Sequence, residues 1–215
     1  MFAGQTFASQ DHPSMSPGDA LKLLQEGNER YFNMEFKRPN VNKKKMNELV
    51  NGQSPFAVII TCSDSRVPLG HIFDTGLGDV FEIKNAGNLV DNHVLGSVEY
   101  AVSHLGTKLV VVMGHTSCGC VATAIEKPKR QTKQINSLID SVKPAIKLSK
   151  NQEGDFTANV TKNNAILNAG LLVKRNRITH EYVEHHGVVI IPAMYDIKTG
   201  KVEFYKQEKI GTENL

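Results

Sequence analysis

Residues 56–67, FAVIITCSDSRV, begin as an almost continuous apolar run and end in a thiol, a carboxylate and a guanidinium: Cys62, Asp64 and Arg66. A short apolar run of this length, rich in β-branched residues, predicts a strand buried on both faces, as parallel sheets require. Val80 to Lys84, Leu109 to Gly114 and Val188 to Ala193 repeat the signal. Between the second and third lies DNHVLGSVEYAVSHLG, which places Val94, Leu95, Val98, Ala101, Val102 and Leu105 on one helical face. Strand, helix and strand in this succession predict an α/β fold with a mainly parallel sheet flanked by helices.

Outward from that centre, Ser16 caps a helix that holds Pro17 and Asp19 in its first turn. Ala20, Leu21, Leu24, Tyr31 and Phe32 give the helix an apolar side, and a short second helix ends near Asn51-Gly52. Residues 131–186 read as helical, with a break at Glu153-Gly154-Asp155 and a stop at Gly187; His185-His186 closes the last helix there. A turn at Lys198-Thr199-Gly200 precedes a final edge strand. Residues 1–15 form a polar, flexible tail, and 16–215 a single domain without a linker or repeat.

The chain has 215 residues, 40% hydrophobic and 22% charged, which suits one domain with a substantial core. Its net charge of +3 is spread along the sequence, and the densest basic run, Lys43-Lys44-Lys45, reads as a solvated helix face. No nucleic-acid footprint is expected. No apolar run approaches the roughly 18 residues a membrane span needs, so a soluble protein is expected. The small-residue pairs Ala3-Gly4 and Ala8-Ser9 resemble a signal-cleavage region, yet no basic segment and long apolar stretch precede them. Cytoplasmic location, or periplasmic location after loss of an upstream signal, both stay open.

Two strands end in chemically capable residues: the first in Cys62-Ser63-Asp64-Ser65-Arg66, the third in His115-Thr116-Ser117-Cys118. Ligands of open α/β sheets bind beyond the carboxyl ends of strands where the topology switches. If those strands are neighbours, Cys62, His115 and Cys118 converge, and one imidazole with two thiolates suits zinc. Asp64 would then either complete the coordination or accept a hydrogen bond from a water in the fourth position, with Arg66 as its bidentate partner. Each half alone reads as well as packing: a strand-end cysteine is often a small buried hydrophobe, and Asp64 with Arg66 can be a structural ion pair.

These segments resemble the β-class carbonic anhydrases. The likeness covers about residues 16–206 through SPGDALKLLQEGNERY, QSPFAVIITCSDSRVP, IFDTGLGDVFEIKNAGNLV, GSVEYAVSHLG, VVVMGHTSCGCV and YDIKTGKVEF, of which CSDSRV and GHTSCG are the most specific. The resemblance implies one Zn(2+) per chain on Cys62, His115 and Cys118, with Asp64 and Arg66 as the catalytic pair. It implies reversible hydration of carbon dioxide to bicarbonate by attack of zinc-bound hydroxide. It also implies an N-terminal helical arm embracing a partner, in a homodimer or a dimer of dimers (homotetramer). By motif, Gln53 corresponds to a glutamine that reaches the substrate region across the dimer, Phe81, Ala86 and Tyr100 to pocket walls, Gly119 to a backbone donor, and His104 to a proposed proton shuttle. A tryptophan used by one branch for a second bicarbonate site is absent, because the chain has no Trp. Cys120 stands where the family usually has Gly or Ala, and its expected role is packing.

Overall fold

The computed structural model describes residues 15–126 and 131–205; all but the last residue of the expected N-terminal tail lies outside them. Five strands form one sheet: β1 (Ala57–Cys62), β2 (Val80–Asn85), β3 (Leu109–His115), β4 (Val189–Tyr195) and β5 (Val202–Phe204). Their order is β2-β1-β3-β4-β5; the first four are parallel and β5 is an antiparallel edge. From β1 the chain goes to β2 on one side, then crosses to β3 on the other. The topological switch therefore falls between β1 and β3, the two strands with chemically loaded ends.

Alternation along these strands sorts the core into two layers. Ile59, Leu109, Val111 and Met113 face a cluster with Ala20 and Leu24 of α1 (Pro17–Phe32) and Leu69 and Ile72 of α3 (Leu69–Ile72). Val58, Ile60, Val110 and Val112 face the opposite cluster, with α4 (Asn92–Ser103), α7 (Phe156–Lys174) and α8 (Arg177–His185). Every residue of β1 and β3 is buried, as the apolar runs require. A third cluster, from α5 (Gly119–Glu126), α6 (Lys133–Ser149) and α7, lies beneath Cys62 and Cys118. No described helix is long and apolar enough to cross a membrane.

The N-terminal helix starts where its cap predicts: the Ser16 side chain accepts from the Asp19 N–H, an interaction worth about 1 kcal/mol. Its inner face docks through Asn28, which donates to the Ile72 and Gly200 carbonyls and accepts from the Val202 N–H. Arg30 pairs with buried Asp74 at 2.6 Å. A methyl at Gly27 would sit 1.8 Å from the Phe73 carbonyl oxygen, so only glycine permits this approach. Phe32 departs from the apolar face expected of it: it stays 42% exposed, with Lys201 Nζ over its ring at 4.3 Å. Beyond it, α2 (Lys43–Glu48) and its flanks leave Met34, Val41, Met46 and Val50 exposed.

Candidate metal centre

Adjacency of β1 and β3 brings the three expected ligands together. The Cys62 and Cys118 sulfurs and a His115 ring nitrogen lie within 4.8 Å of one another, and all three residues are buried. His115 ends β3 and donates from Nδ1–H to the Thr116 carbonyl at 2.9 Å, which turns Nε2 into the crevice. That Nε2 is buried with no hydrogen-bond partner. An orphaned buried imidazole nitrogen is costly unless something coordinates it. Ser117, with φ of 57°, makes the sharp turn that returns Cys118 toward Cys62 at the start of α5.

The sulfurs are 3.9 Å apart, and the Gly87 N–H donates to Cys62 Sγ at 3.3 Å. Cys118 S–H donating to Cys62 draws the Cys62 thiol below, and pushes the Cys118 thiol above, the ordinary thiol range. Two thiolates and one neutral imidazole are the donor set that zinc prefers, so the residues fit that ion.

Asp64 stands beside the trio, its Oδ2 4.0 Å from His115 Nε2. Arg66 grips it through Nε to Oδ1 and Nη2 to Oδ2, and the Arg66 backbone N–H also donates to Oδ1. These bonds, the side-chain pair foremost, hold the carboxyl well below the usual carboxylate range. The carboxylate is thus turned toward Arg66, with Oδ2 accepting from Nη2 at 2.8 Å.

The remaining expected residues divide by distance from this cluster. Ala86 follows β2, immediately precedes Gly87 and is half-buried; Gly119 opens α5 next to Cys118 and is exposed. Phe81 pairs with Val58 while Asn85 pairs with Cys62, so Phe81 lies four positions back along the sheet, roughly 13 Å from the chain's own site. Tyr100 packs on Phe81 with ring centroids 6.4 Å apart, and His104 stacks on Tyr100 at 5.2 Å. His104 caps α4, exposed, with Nδ1 2.8 Å from Ser103 Oγ. Gln53 is exposed in the segment before β1. Cys120 does not join the ligand cluster; its sulfur faces Gly87, and burial pushes its thiol up to about 11.

Sequence reasoning missed the loop that closes the crevice and what supports it. Asn85 brackets that loop by accepting from the Leu89 N–H and donating to the Leu89 carbonyl. Asn164 of α7 holds its middle at the Gly87 carbonyl, and Asn168 its end at the Val90 N–H. A signal was present: two asparagines four apart inside the apolar stretch NAILNAG, where helix interiors disfavour them unless they bond elsewhere.

Packing alone does not call for an orphaned imidazole beside two thiols at a switch point, and the class this defines is an α/β protein whose Cys62, His115 and Cys118 form a group of metal-ligand type at the strand ends. Comparison with known proteins narrows it. A family model described as Carbonic anhydrase matches residues 57–202. The chain is 33% identical over 192 residues to Carbonic anhydrase 2 of Mycobacterium tuberculosis, covering 88% of this chain and 93% of that protein. It is 38% identical over 141 residues to a carbonic anhydrase of Mycolicibacterium smegmatis, across 64% of this chain and 68% of the relative. The fold is shared with the β-carbonic anhydrase CafA of Aspergillus fumigatus (TM-score 0.70, 24% identity, 89% of this chain and 91% of that one). A tetrameric β-carbonic anhydrase from Sordaria macrospora superposes with TM-score 0.67 at 24% identity over 87% of this chain and 94% of that one. The chain belongs to the β-carbonic anhydrase family, and membership makes it an enzyme of the carbonate dehydratase class.

Proposed function

We propose that the chain interconverts carbon dioxide and bicarbonate with one zinc ion per chain, held by Cys62, His115 and Cys118. The observation that carries this is the buried, unpartnered His115 Nε2 aimed at two thiols that lie 3.9 Å apart. Bound zinc would supply the Lewis acidity that ionises water near neutral pH. Asp64 acts as a fixed hydrogen-bond acceptor at the crevice, orienting the attacking oxygen toward carbon dioxide. Arg66 keeps that carboxylate ionised and pointed. Ala86 contributes a small apolar wall, and the Gly119 N–H, free in the first turn of α5, is a donor for bicarbonate oxygen. His104, exposed at the end of α4, passes protons between the site and buffer.

We place residues 16–215 in one domain whose α1–α2 arm covers a second copy in a homodimer, itself able to pair into a tetramer. The exposed Met34, Val41, Met46 and Val50 support that surface. The dimer also accounts for Gln53, Phe81 and Tyr100, which lie away from their own chain's cluster and serve the site of the second copy. Zinc analysis combined with a carbon dioxide hydration assay across pH tests the whole reading. The expected result is one zinc per chain with turnover that rises with pH; zinc bound without hydration at any pH would overturn it.

A further inference from the structure

We infer that Asn164 and Asn168 of α7 are positioning residues for the metal centre, acting through the loop of residues 86–90. This rests on the zinc reading above and extends it to residues that touch no ligand atom. Asn164 Nδ2 donates to the Gly87 carbonyl at 2.9 Å, and Asn168 Oδ1 accepts from the Val90 N–H at 2.8 Å. Asn168 Nδ2 in turn donates to the Asn164 carbonyl at 2.8 Å and approaches Asn164 Oδ1 at 3.2 Å, which fixes both amides against each other. Both side chains are buried, at 1% and 4% exposure, so no water replaces these bonds cheaply.

The residue that receives the Asn164 bond at its carbonyl is the one whose N–H, in the preceding peptide, reaches Cys62 Sγ at 3.3 Å. Gly87 is therefore held from both ends: its carbonyl by α7, its N–H by the ligand sulfur. A thiolate that accepts an N–H bond has its lone pair and its charge fixed by it, and outer partners of this kind commonly govern metal affinity by about 10–100-fold. Arg175 adds a third anchor by donating to the Val90 carbonyl at 3.0 Å.

Asn163 is the matched control. It sits on the same helix at 9% exposure, but its amide bonds Ser149 and Gln152 instead of the loop. Asn164→Leu removes the donor to Gly87 while keeping a side chain branched at the end, Asn164→Ala truncates it, and Asn163→Leu removes another buried amide of the same helix by the same change. Zinc affinity of the full chain is measured by competition with a chromophoric chelator. The sulfur-to-cobalt charge-transfer band of the cobalt(II)-loaded protein is read in parallel.

Either Asn164 variant should bind zinc about 10–100-fold more weakly and shift the band, with Asn168→Leu behaving alike. Asn163→Leu should lose thermal stability yet keep the zinc affinity and the band of the wild-type chain. Equal weakening in the Asn163 variant, or folded Asn164 variants with unchanged affinity and band, would overturn the inference while leaving the zinc reading standing. A wild-type chain that takes up no zinc would instead overturn that reading, and the inference with it.

Discussion

Arg66 holds Asp64 by two parallel bonds, Nε to Oδ1 at 2.9 Å and Nη2 to Oδ2 at 2.8 Å, and the same Nη2 reaches the Ser117 carbonyl at 3.1 Å. One guanidinium thus orients the carboxylate and ties the loop after β1 to the loop after β3, on whose far side Cys118 immediately precedes α5. Asp64→Asn keeps the shape but replaces one acceptor oxygen with a donor. It should retain stoichiometric zinc while kcat falls by at least about 100-fold, the scale of losing a positioned proton acceptor. Metal analysis beside stopped-flow hydration checks this, and a zinc-loaded variant with full turnover would remove Asp64 from the mechanism.

Arg66→Lys tests the fork itself, because an ammonium offers a point charge without the planar pair of donors. The Asp64 pKa is lowered chiefly by the Arg66 side-chain bond, so weakening that bond lets the carboxylate protonate at higher pH. Activity should therefore fail earlier on acidification, with the acid limb of the pH–rate profile moved upward and the alkaline plateau reduced less. An unmoved limb would mean that Asp64 is not the group whose ionisation the limb reports.

Much of this arrangement was legible in the sequence because it lies in local patterns. Apolar runs closed by polar residues located β1 and β3, and parallel order followed from the helix between β2 and β3. Convergence of Cys62, His115 and Cys118 needed only that two strands be neighbours. Asn164 and Asn168 stand out as polar residues in an apolar helical stretch, but their partners do not: they bond the backbone of Gly87 and Val90, 77 and 78 positions earlier, and backbone has no sequence signature. Likewise, neither the packing of Tyr100 on Phe81 nor the position of Phe81 four residues back along the sheet from the pair Asn85–Cys62 is written in the sequence. The 131–186 helical stretch also breaks a second time, at Arg175-Asn176, where Asn176 caps α8 through the Thr179 N–H.

Metal uptake should be coupled to proton release in a specific amount. The two sulfurs lie 3.9 Å apart with the Cys118 S–H donating to Cys62, and this bond lowers the Cys62 thiol and raises Cys118, so the pair tends to hold one proton between them. Zinc needs both as thiolates and therefore displaces roughly one proton, that of Cys118. Titration calorimetry in buffers of different ionisation enthalpy counts it. Zinc retention should correspondingly weaken on acidification, and release of two protons at a pH low enough to keep the bound water un-ionised would show that both sulfurs enter as thiols.

Docking of α1 should be acid-sensitive through Asp74. Burial opposes ionisation of this carboxyl, yet the Arg30 side chain and the Lys37 and Arg38 backbone N–H groups outweigh it and lower the pKa. A depressed folded pKa means that the contribution is complete above the unfolded value of about 3.9 and is lost as pH falls through the folded pKa. Arg30→Met leaves a carboxylate at 1% side-chain exposure without its ion partner and should cost about 3 kcal/mol at pH 7. Urea unfolding from pH 7 to pH 3 should show the difference between the two proteins narrowing toward the acid end.

Gly87 is the position where backbone conformation and packing coincide, and a double-mutant cycle can separate them. Its φ of 82° is unfavourable for any L side chain, by about 1–2 kcal/mol, and an added Cβ would lie 2.7 Å from Cys120 Sγ and 3.3 Å from Cys120 Cβ. Gly87→Ala should therefore destabilise the chain by more than the conformational cost alone and weaken zinc, because the shifted peptide carries the N–H that bonds Cys62. Cys120→Ala removes the clashing sulfur from a residue outside the ligand cluster and should leave zinc content and turnover near those of the starting chain. Combined, the two changes should recover the part of the Gly87→Ala loss due to crowding and leave the conformational part. Additive losses would place the whole effect in φ and remove Cys120 from the support of the loop.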